Sequence, residues 1–362
     1  MRTPTSTRWV GDSNNVMVPL PLSVKLFIVR GMLRATTLVK ETRKRIYYRA
    51  REAPRGRSLL QAAEYIRSPR EHQSRRELAQ LYIERTAPPV IQPSRGFGLT
   101  SVDRFENFDA VVGTARDVFL KKKAAIDEEL ASVPTWDELE QKRYVKRKDR
   151  FLRNLLSDDD LRQNPLLVDF ALSDSVLGMA TRYLGAVPYL CRVDLVYSLP
   201  RANADNIASQ LFHVDPEGLT QVKYFIHLYD VGEPDGPFTF IPADETARIV
   251  ADVRALRRRH GTPHSGRYLD EEIDAVGGTR SIVRLQGPTG DGVAIDTSRC
   301  LHMGSRVRPG AFRLCLYLQY CTTAEQTNVF DVARYESDPV RYLAVKHSLA
   351  PHAQRLTSAQ MA

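Results

Sequence analysis

From about residue 186 onward, apolar residues come in short runs that alternate with polar ones, and each run ends near Gly, Pro, Asp or Asn. Short runs rich in β-branched and aromatic residues predict β-strands. The predicted strands are YLCRVDLVYSL, VKYFIHLYDV, PFTFIPA, TRSIVRLQ, DGVAIDTS and FRLCLYLQYCT. Few helices separate them, so the pattern predicts a β-barrel or jelly roll over about residues 186–325.

Apolar residues at helical spacing flank this region and interrupt it once. The predicted helical segments are 58–85, 103–163, 173–185, a helix within the insert 243–281, and the chain after 337. Together the two patterns predict an α+β fold, in which a barrel core carries flanking N-terminal helices and a helical C-terminal tail.

A Pro- and Gly-rich stretch, TAPPVIQPSRGFG, is the best candidate for a domain boundary. It divides the chain into a helical N-terminal extension at 1–87, a main domain at 88–345 and a tail at 346–362. The main domain contains the predicted barrel and its insert.

Basic residues concentrate near the N-terminus. The chain has a net charge of +9, and residues 25–57 hold eleven Lys or Arg against two acids. Three interpretations stay open for residues 20–50: a solvated helix docked on the domain, a cationic amphipathic helix on an anionic membrane, and an Arg-rich targeting segment.

The four cysteines show no metal-binding spacing and lie in or near apolar segments, which favours reduced core thiols. No apolar run is long enough for a transmembrane helix. We expect a cytoplasmic protein, with peripheral membrane contact as an option through residues 20–50.

Candidate chemistry begins at His213 and Asp215, in QLFHVD. Residues two apart in a strand point to the same face, so the imidazole and the carboxylate can bind one ion. His302 lies at the end of a later predicted strand and is the third candidate ligand. Two His and one carboxylate form the facial triad that holds non-heme Fe(II) and leaves positions open for other ligands.

Arg313 stands eleven residues after His302, at the start of the next predicted strand. An Fe(II) oxygenase that uses 2-oxoglutarate has to bind the distal carboxylate of this co-substrate. A guanidinium can do so through two parallel hydrogen bonds, so Arg313 is the candidate for that role.

The motifs QLFHVD, VKYFIHLYDVGEPDGPFTFIPA and LHMGSRVRPGAFR resemble the phytanoyl-CoA dioxygenase family over about residues 165–325. The resemblance implies a double-stranded β-helix fold, Fe(II), 2-oxoglutarate and O₂ as cofactor and co-substrates, and hydroxylation of an unactivated carbon with release of succinate and CO₂. The insert at 243–281 would then be a lid.

Two positions distinguish this sequence from particular relatives. Halogenating relatives lack the carboxylate ligand, whereas Asp215 is present here, which favours hydroxylation. The run IPADETA replaces the Pro-Gly-Ser-His of many relatives, at the expected rim of the substrate site.

Further candidates for co-substrate contact are Gln210, Ser305 and Tyr197, with Arg192 as a weaker one. His227, in the middle of a predicted strand, is interpreted as a core or rim residue. His260 and His264 have helical metal spacing, but the Gly and Pro between them predict a loop instead.

Two rival functions stay open. Alkylated-base repair enzymes carry two arginines six apart after the distal His, whereas Arg306 and Arg308 stand seven and five before Arg313, which disfavours a nucleic-acid oxygenase. A non-catalytic, cupin-like protein at a membrane is the other rival. The expected partner is a small-molecule, lipid or glycan substrate, with an anionic one favoured by the excess of Arg.

Overall fold

Short strands and helices alternate along the chain. The computed structural model describes residues 68–86, 90–131, 151–200, 206, 208–215, 220–262, 265–304, 306–324 and 327–346. The strands are β1 Phe97–Thr100, β2 Leu152–Asn154, β3 Tyr189–Ser198, β4 Gln221–His227, β5 Thr239–Ile241, β6 Val283–Arg284, β7 Gly292–Ile295, β8 Leu301–Met303 and β9 Arg313–Cys321. The helices are α1 Pro69–Ile83, α2 Phe108–Ala131, α3 Asp158–Gln163, α4 Pro165–Ala171, α5 Asp174–Leu184, α6 Ala243–Arg259, α7 Asp270–Ala275 and α8 Pro339–Val345.

Six strands form a large antiparallel sheet in the order β1-β7-β4-β9-β3-β2. Strand β9 is central, and its register places Cys315 opposite Val196 of β3 and opposite His227 of β4. Because successive side chains alternate between faces, the residues of each strand form two sets, one on each face of the sheet.

One face of the large sheet carries the main hydrophobic core. Val222, Tyr224 and Ile226 of β4 are fully buried against helices α2, α4 and α5. The opposite face carries alternate residues such as Lys223 and Phe225, and it lines the cavity described below. Because the apolar residues of β4 have to face the helices, the residues between them point toward the cavity.

Helix α1 packs against α5 and α8, and its Arg75 is fully buried. The guanidinium of Arg75 donates to the backbone oxygens of Val187 and Leu343. Helix α1 therefore packs against helices that lie on the other side of the predicted boundary after residue 87.

A smaller antiparallel sheet has the order β6-β5-β8. Leu301 and Met303 of β8 pack with Ile249 and Val253 of α6, whereas His302 between them points to the other face. The insert at 243–281 therefore covers the face of this sheet away from His302. None of its described residues lines the cavity, and a lid role for the insert stays a prediction.

Helices and antiparallel sheets are mixed, as the α+β prediction requires. The helical prediction for 103–163 is wrong at β2, which pairs with β3 through Arg153 and Tyr197, because strand pairing overrides the local preference. All four cysteines are free and buried, as expected. Among the helices in the described ranges, none is long and apolar enough to cross a membrane. Residues 20–50 and the tail from 347 onward lie outside the described residues.

Candidate metal centre

Backbone pairing between two distant segments brings the three predicted metal ligands together. His213 and His302 exchange both backbone hydrogen bonds, at 2.9 and 2.8 Å. The backbone N–H of Asp215 donates to the oxygen of Thr297 at 2.8 Å. The segment around His213 is thereby extended, so His213 and Asp215 share one face with His302 beside them.

The ligand atoms are close enough to bind one ion. Nε2 of His213 lies 3.5 Å from Oδ1 of Asp215, and Nε2 of His302 lies 3.3 Å from Oδ2. One ligand atom from each residue can be chosen so that all lie within 4.8 Å of one another. Donors about 2.1 Å from one ion are about 3.0–3.5 Å apart at right or tetrahedral angles, so the observed spacing fits a single metal.

The Nδ1 atoms of both histidines form hydrogen bonds that fix the orientation of the rings. Nδ1 of His213 lies 2.8 Å from the oxygen of Leu211, and Nδ1 of His302 lies 3.0 Å from the oxygen of Cys300. Because a carbonyl oxygen only accepts, each Nδ1 donates, and in the neutral form of each ring the lone pair is on Nε2. This second set of bonds is typical of metal-ligating histidines.

Charge and burial favour the ligating protonation states. Burial, together with neighbouring His302, lowers the pKa of His213 to about 4. Burial opposes ionisation of Asp215, but Lys223 and the two imidazoles outweigh it and hold the pKa of that carboxyl well below its usual range. At neutral pH the site therefore offers one neutral imidazole and one carboxylate without first losing a proton.

A buried carboxylate braces the loop that carries His302. Asp296 is fully buried and accepts hydrogen bonds from the Tyr183 hydroxyl and from the backbone and hydroxyl of Ser298. Arg299 also donates to the Tyr183 hydroxyl at 2.9 Å. These bonds hold the turn between β7 and β8. The turn in turn fixes the position of His302 on β8.

The candidate ligands line a cavity of about 210 Å³ between the two sheets. Arg313 lines the same cavity and is only 4% exposed. Its guanidinium donates to the backbone oxygen of Gly236 and, at 3.4 Å, to the Ser198 hydroxyl, while Nε has no partner among the described residues. No carboxylate in the described ranges forms an ion pair with it, which is unusual for a buried cation.

Gly236 holds Arg313 in place and has to be glycine. Its φ of +64° is a left-handed conformation, and a Cβ there would lie 2.6 Å from the backbone carbon of Arg306. Its carbonyl is one of the acceptors for Arg313. The Asp-Gly-Pro motif thus turns the chain and positions the guanidinium.

The structure places the weaker candidates differently. Tyr197 points to the opposite face of β3, where its ring packs against Phe119 at 4.9 Å, because alternate residues after the register shift at Leu190–Arg192 face the helices. Gln210 is buried in a 3₁₀ turn, Ala208–Gln210, not in a strand, and it does not line the cavity; its backbone oxygen accepts from Arg306. Ser305 lies outside the described residues, and Arg192 lines the cavity.

His227 is buried, as expected for a core residue, at 1% exposure. Neither ring nitrogen has a hydrogen-bond partner within the described residues. Burial and the nearby Arg313 lower the pKa of His227 to about 4, against a smaller opposing effect of the Gly287 backbone. His260 is an exposed residue at the end of α6, and His264 lies outside the described residues.

Lys223 is a charged cavity residue that sequence reasoning missed. It is 6% exposed, and its Nζ lies 2.6 Å from Oδ2 of Asp215. The available signal was a lysine inside the apolar run VKYFIH, two residues before Phe225 on the same face. A charge inside such a run is unfavourable unless it has a partner.

A second, more open depression of about 530 Å³ lies elsewhere on the surface. Both of its arginines are already paired, Arg334 with Asp169 and Arg341 with Asp338. Since these charges are already satisfied, the depression offers no reactive group comparable with the triad.

No protein-family model matches the chain, and no curated protein does. The chain is similar to the solved structures of three proteins. For AviO1 from Streptomyces viridochromogenes Tue57 the identity is 16%, over 66% of this chain and 96% of that one, with a TM-score of 0.39. For EctD from S. alaskensis with 2-oxoglutarate and 5-hydroxyectoine it is 15%, over 66% and 83%, with a TM-score of 0.38. For HygX from Streptomyces hygroscopicus with nickel and 2-oxoglutarate it is 15%, over 64% and 84%, with a TM-score of 0.36. At these values, the function has to be argued from the site itself.

Proposed function

We propose that the protein is an Fe(II)- and 2-oxoglutarate-dependent dioxygenase of the phytanoyl-CoA dioxygenase type. His213, Asp215 and His302 are the metal ligands in this proposal, and Arg313 binds the distal carboxylate of 2-oxoglutarate. The two antiparallel sheets with a cavity between them are compatible with the double-stranded β-helix expected for such enzymes.

The observation that carries the proposal is a buried arginine without a carboxylate partner, in the same cavity as the triad. A metal site alone would suit many enzymes. A buried guanidinium costs free energy unless an anion joins it, so the cavity is built for an anionic ligand. A dicarboxylate that binds the metal at one end and Arg313 at the other fits both features.

The bound metal would supply dioxygen activation coupled to the decarboxylation of 2-oxoglutarate, with release of succinate and CO₂. The chain's own residues orient the reactants. Phe225 and Phe238 stack at 4.2 Å, and the Phe238 ring lies 5.6 Å from the His302 ring. This aromatic wall beside the ligands limits access of water to the reacting positions. With Asp215 present as a ligand, hydroxylation is the outcome that we propose.

The rival of a nucleic-acid oxygenase gains nothing from the site. Arg306 pairs with Asp270, and Arg308 pairs with Glu233, so both are engaged outside the cavity. Neither is available as a second anion-binding arginine beside Arg313.

The proposal is tested by Fe(II) affinity, measured anaerobically by competition with a chelator. Wild type should bind one Fe(II), and 2-oxoglutarate should raise the affinity because it adds ligands to the same ion. His302→Ala should lose this binding, whereas His260→Ala, a change at an exposed histidine, should not. Wild type that binds iron no better than His302→Ala would refute the proposed metal centre.

A further inference from the structure

Three neighbouring strands of the large sheet place Arg192, Gln319 and Lys223 side by side. Arg192 lies opposite Gln319 across β3 and β9, and Gln319 lies opposite Lys223 across β9 and β4. All three line the cavity. Adjacent strands are about 4.8 Å apart, so the outer Cα atoms are about 10 Å apart, a span that two long cationic side chains can close around one small group. We call these residues the Arg192–Lys223 row.

The row adjoins the metal ligands at the end of the cavity away from Arg313. Nζ of Lys223 lies 2.6 Å from Oδ2 of Asp215. Arg313 precedes Gln319 by six residues on β9, which corresponds to about 20 Å along a strand. A co-substrate held by Arg313 therefore leaves the row to the substrate.

Arg192 is rigidly held yet keeps a free donor. Its Nε and Nη2 donate to Oδ2 of Asp194, at 3.0 and 2.6 Å, and Asp194 is itself fixed by the backbone N–H groups of Leu155 and Leu156. Within the described ranges its Nη1 makes no hydrogen bond, and the side chain is 28% exposed. A preorganised guanidinium with one open side is suited to binding an anion.

The rest of this end of the cavity is polar. The Tyr317 hydroxyl donates to Gln319 at 3.1 Å, and Asn154 and Thr327 also line the wall. The Tyr317 ring lies between the two cations, 5.9 Å from the Arg192 guanidinium and 5.7 Å from Nζ of Lys223. A hydrocarbon chain would exclude water from these polar groups and offer them no hydrogen bond in return, which opposes its binding.

The charges in and behind the described cavity lining indicate the charge of the substrate group that binds there. Three lining residues are cations, Arg192, Lys223 and Arg313, and one is a carboxylate, Asp215. Asp194 is buried behind the lining and pairs with Arg192. A metal dication and a 2-oxoglutarate dianion cancel each other, so one positive charge remains. Uncompensated charge at a largely buried site is costly, and a monoanionic substrate removes that cost.

We propose that the Arg192–Lys223 row binds a carboxylate of the substrate, so that the enzyme oxidises a small carboxylic acid and not an unsubstituted hydrocarbon chain. The inference rests on the proposed function, because it takes the opposite end of the cavity as the co-substrate site. The cavity volume of about 210 Å³ restricts the part of the substrate that enters to a small group.

The test uses the full chain loaded with Mn(II) and saturating 2-oxoglutarate. Bound Mn(II) accelerates the NMR relaxation of protons on any molecule that binds near it. The probes are matched in shape and differ in charge: benzoate with benzamide, and cyclohexanecarboxylate with its primary amide. Methylphosphonate serves as a more highly charged anion.

Wild type should bind each carboxylate at least about tenfold more tightly than its amide, which corresponds to about 1.4 kcal/mol. Arg192→Gln and Lys223→Gln should each reduce this preference, and Arg192→Lys should retain part of it because the charge remains. Arg308→Gln, a change at an exposed arginine paired with Glu233, should behave as wild type.

Equal binding of carboxylates and amides by wild type would overturn the inference, and so would a preference that survives both Gln variants. Tighter binding of methylphosphonate than of the carboxylates would overturn the choice of a carboxylate. In each case, intact 2-oxoglutarate-dependent Mn(II) binding would leave the proposed function standing. Wild type without that metal binding would refute the proposed function, and this inference with it.

Discussion

Replacing Arg313 with Met removes the buried guanidinium and keeps most of the volume of its stem. In the proposed complex this guanidinium binds the distal carboxylate of 2-oxoglutarate by two charge-assisted hydrogen bonds. Truncating one partner of such a buried pair costs about 2–4 kcal/mol. The affinity for 2-oxoglutarate should therefore fall about 30- to 1000-fold, whereas Fe(II) affinity without 2-oxoglutarate should change little, because Arg313 is not a metal ligand.

Calorimetric titration of 2-oxoglutarate into Mn(II)-loaded protein measures this loss directly. Pyruvate, a 2-oxo acid without the distal carboxylate, should bind wild type and Arg313→Met equally, since it never contacts the guanidinium. Arg308→Met is the matched control, because Arg308 is 63% exposed and pairs with Glu233 outside the cavity.

Thermal unfolding of the metal-free variants separates binding from folding. Arg313 is 4% exposed and has no carboxylate partner among the described residues, so its removal should leave the free energy of unfolding unchanged or higher. A strongly destabilised Arg313→Met protein would show that the arginine braces the fold. Unchanged 2-oxoglutarate affinity would refute its role in binding.

Three further outcomes are expected. Gly236→Ala should lower 2-oxoglutarate affinity in the same titration, because a Cβ at φ +64° collides with the backbone of Arg306 and displaces the carbonyl that holds Arg313; wild-type affinity would contradict this. The pKa of His227 is about 4 when folded and about 6.5 when unfolded. As pH falls from 6.5 toward 4 the unfolded chain therefore takes up a proton that the folded protein does not, and the free energy of unfolding drops by about 2 kcal/mol by pH 5. Urea unfolding of His227→Gln should show a correspondingly flatter pH dependence, and an unchanged slope would contradict the assignment. If residues 20–50 bind anionic membranes, vesicle binding should weaken as salt shortens the Debye length from about 10 Å at 0.1 M to about 3 Å at 1 M. A chain starting at residue 68, which keeps helix α1, should lose that binding; a full chain that ignores such vesicles at low salt would favour a docked helix.

The triad and Arg313 were predictable because their signals are local. Residues two apart in an extended segment share a face, and strand ends carry the polar side chains, so His213, Asp215 and Arg313 could be assigned from spacing. The spacing does not show which segment pairs with the one that contains His213. The backbone pairing of His213 with His302 joins segments 89 residues apart in sequence, and it can be seen only in the fold.

Where the placement of a residue differs from expectation, the reason is which face of its strand or helix is buried. The sequence predicts co-substrate contact for Tyr197, yet β3 turns Val193, Leu195 and Tyr197 toward the helices. Helix α6 was predicted correctly, but its apolar stripe packs on the far side of the small sheet and not over the cavity mouth. Arg192 and Lys223 became neighbours only through the register of β3 and β4 with β9, which no local pattern specifies.

The central claim is that His213, Asp215 and His302 hold an iron on which 2-oxoglutarate is chelated. The most direct measurement is the visible spectrum of anaerobic protein to which Fe(II) and then 2-oxoglutarate are added. The account predicts a weak charge-transfer band that appears with 2-oxoglutarate, does not appear with glutarate, which lacks the 2-oxo group, and is absent in His302→Ala. Wild type that binds Fe(II) and 2-oxoglutarate without such a band, or that shows it equally in His302→Ala, would contradict the account.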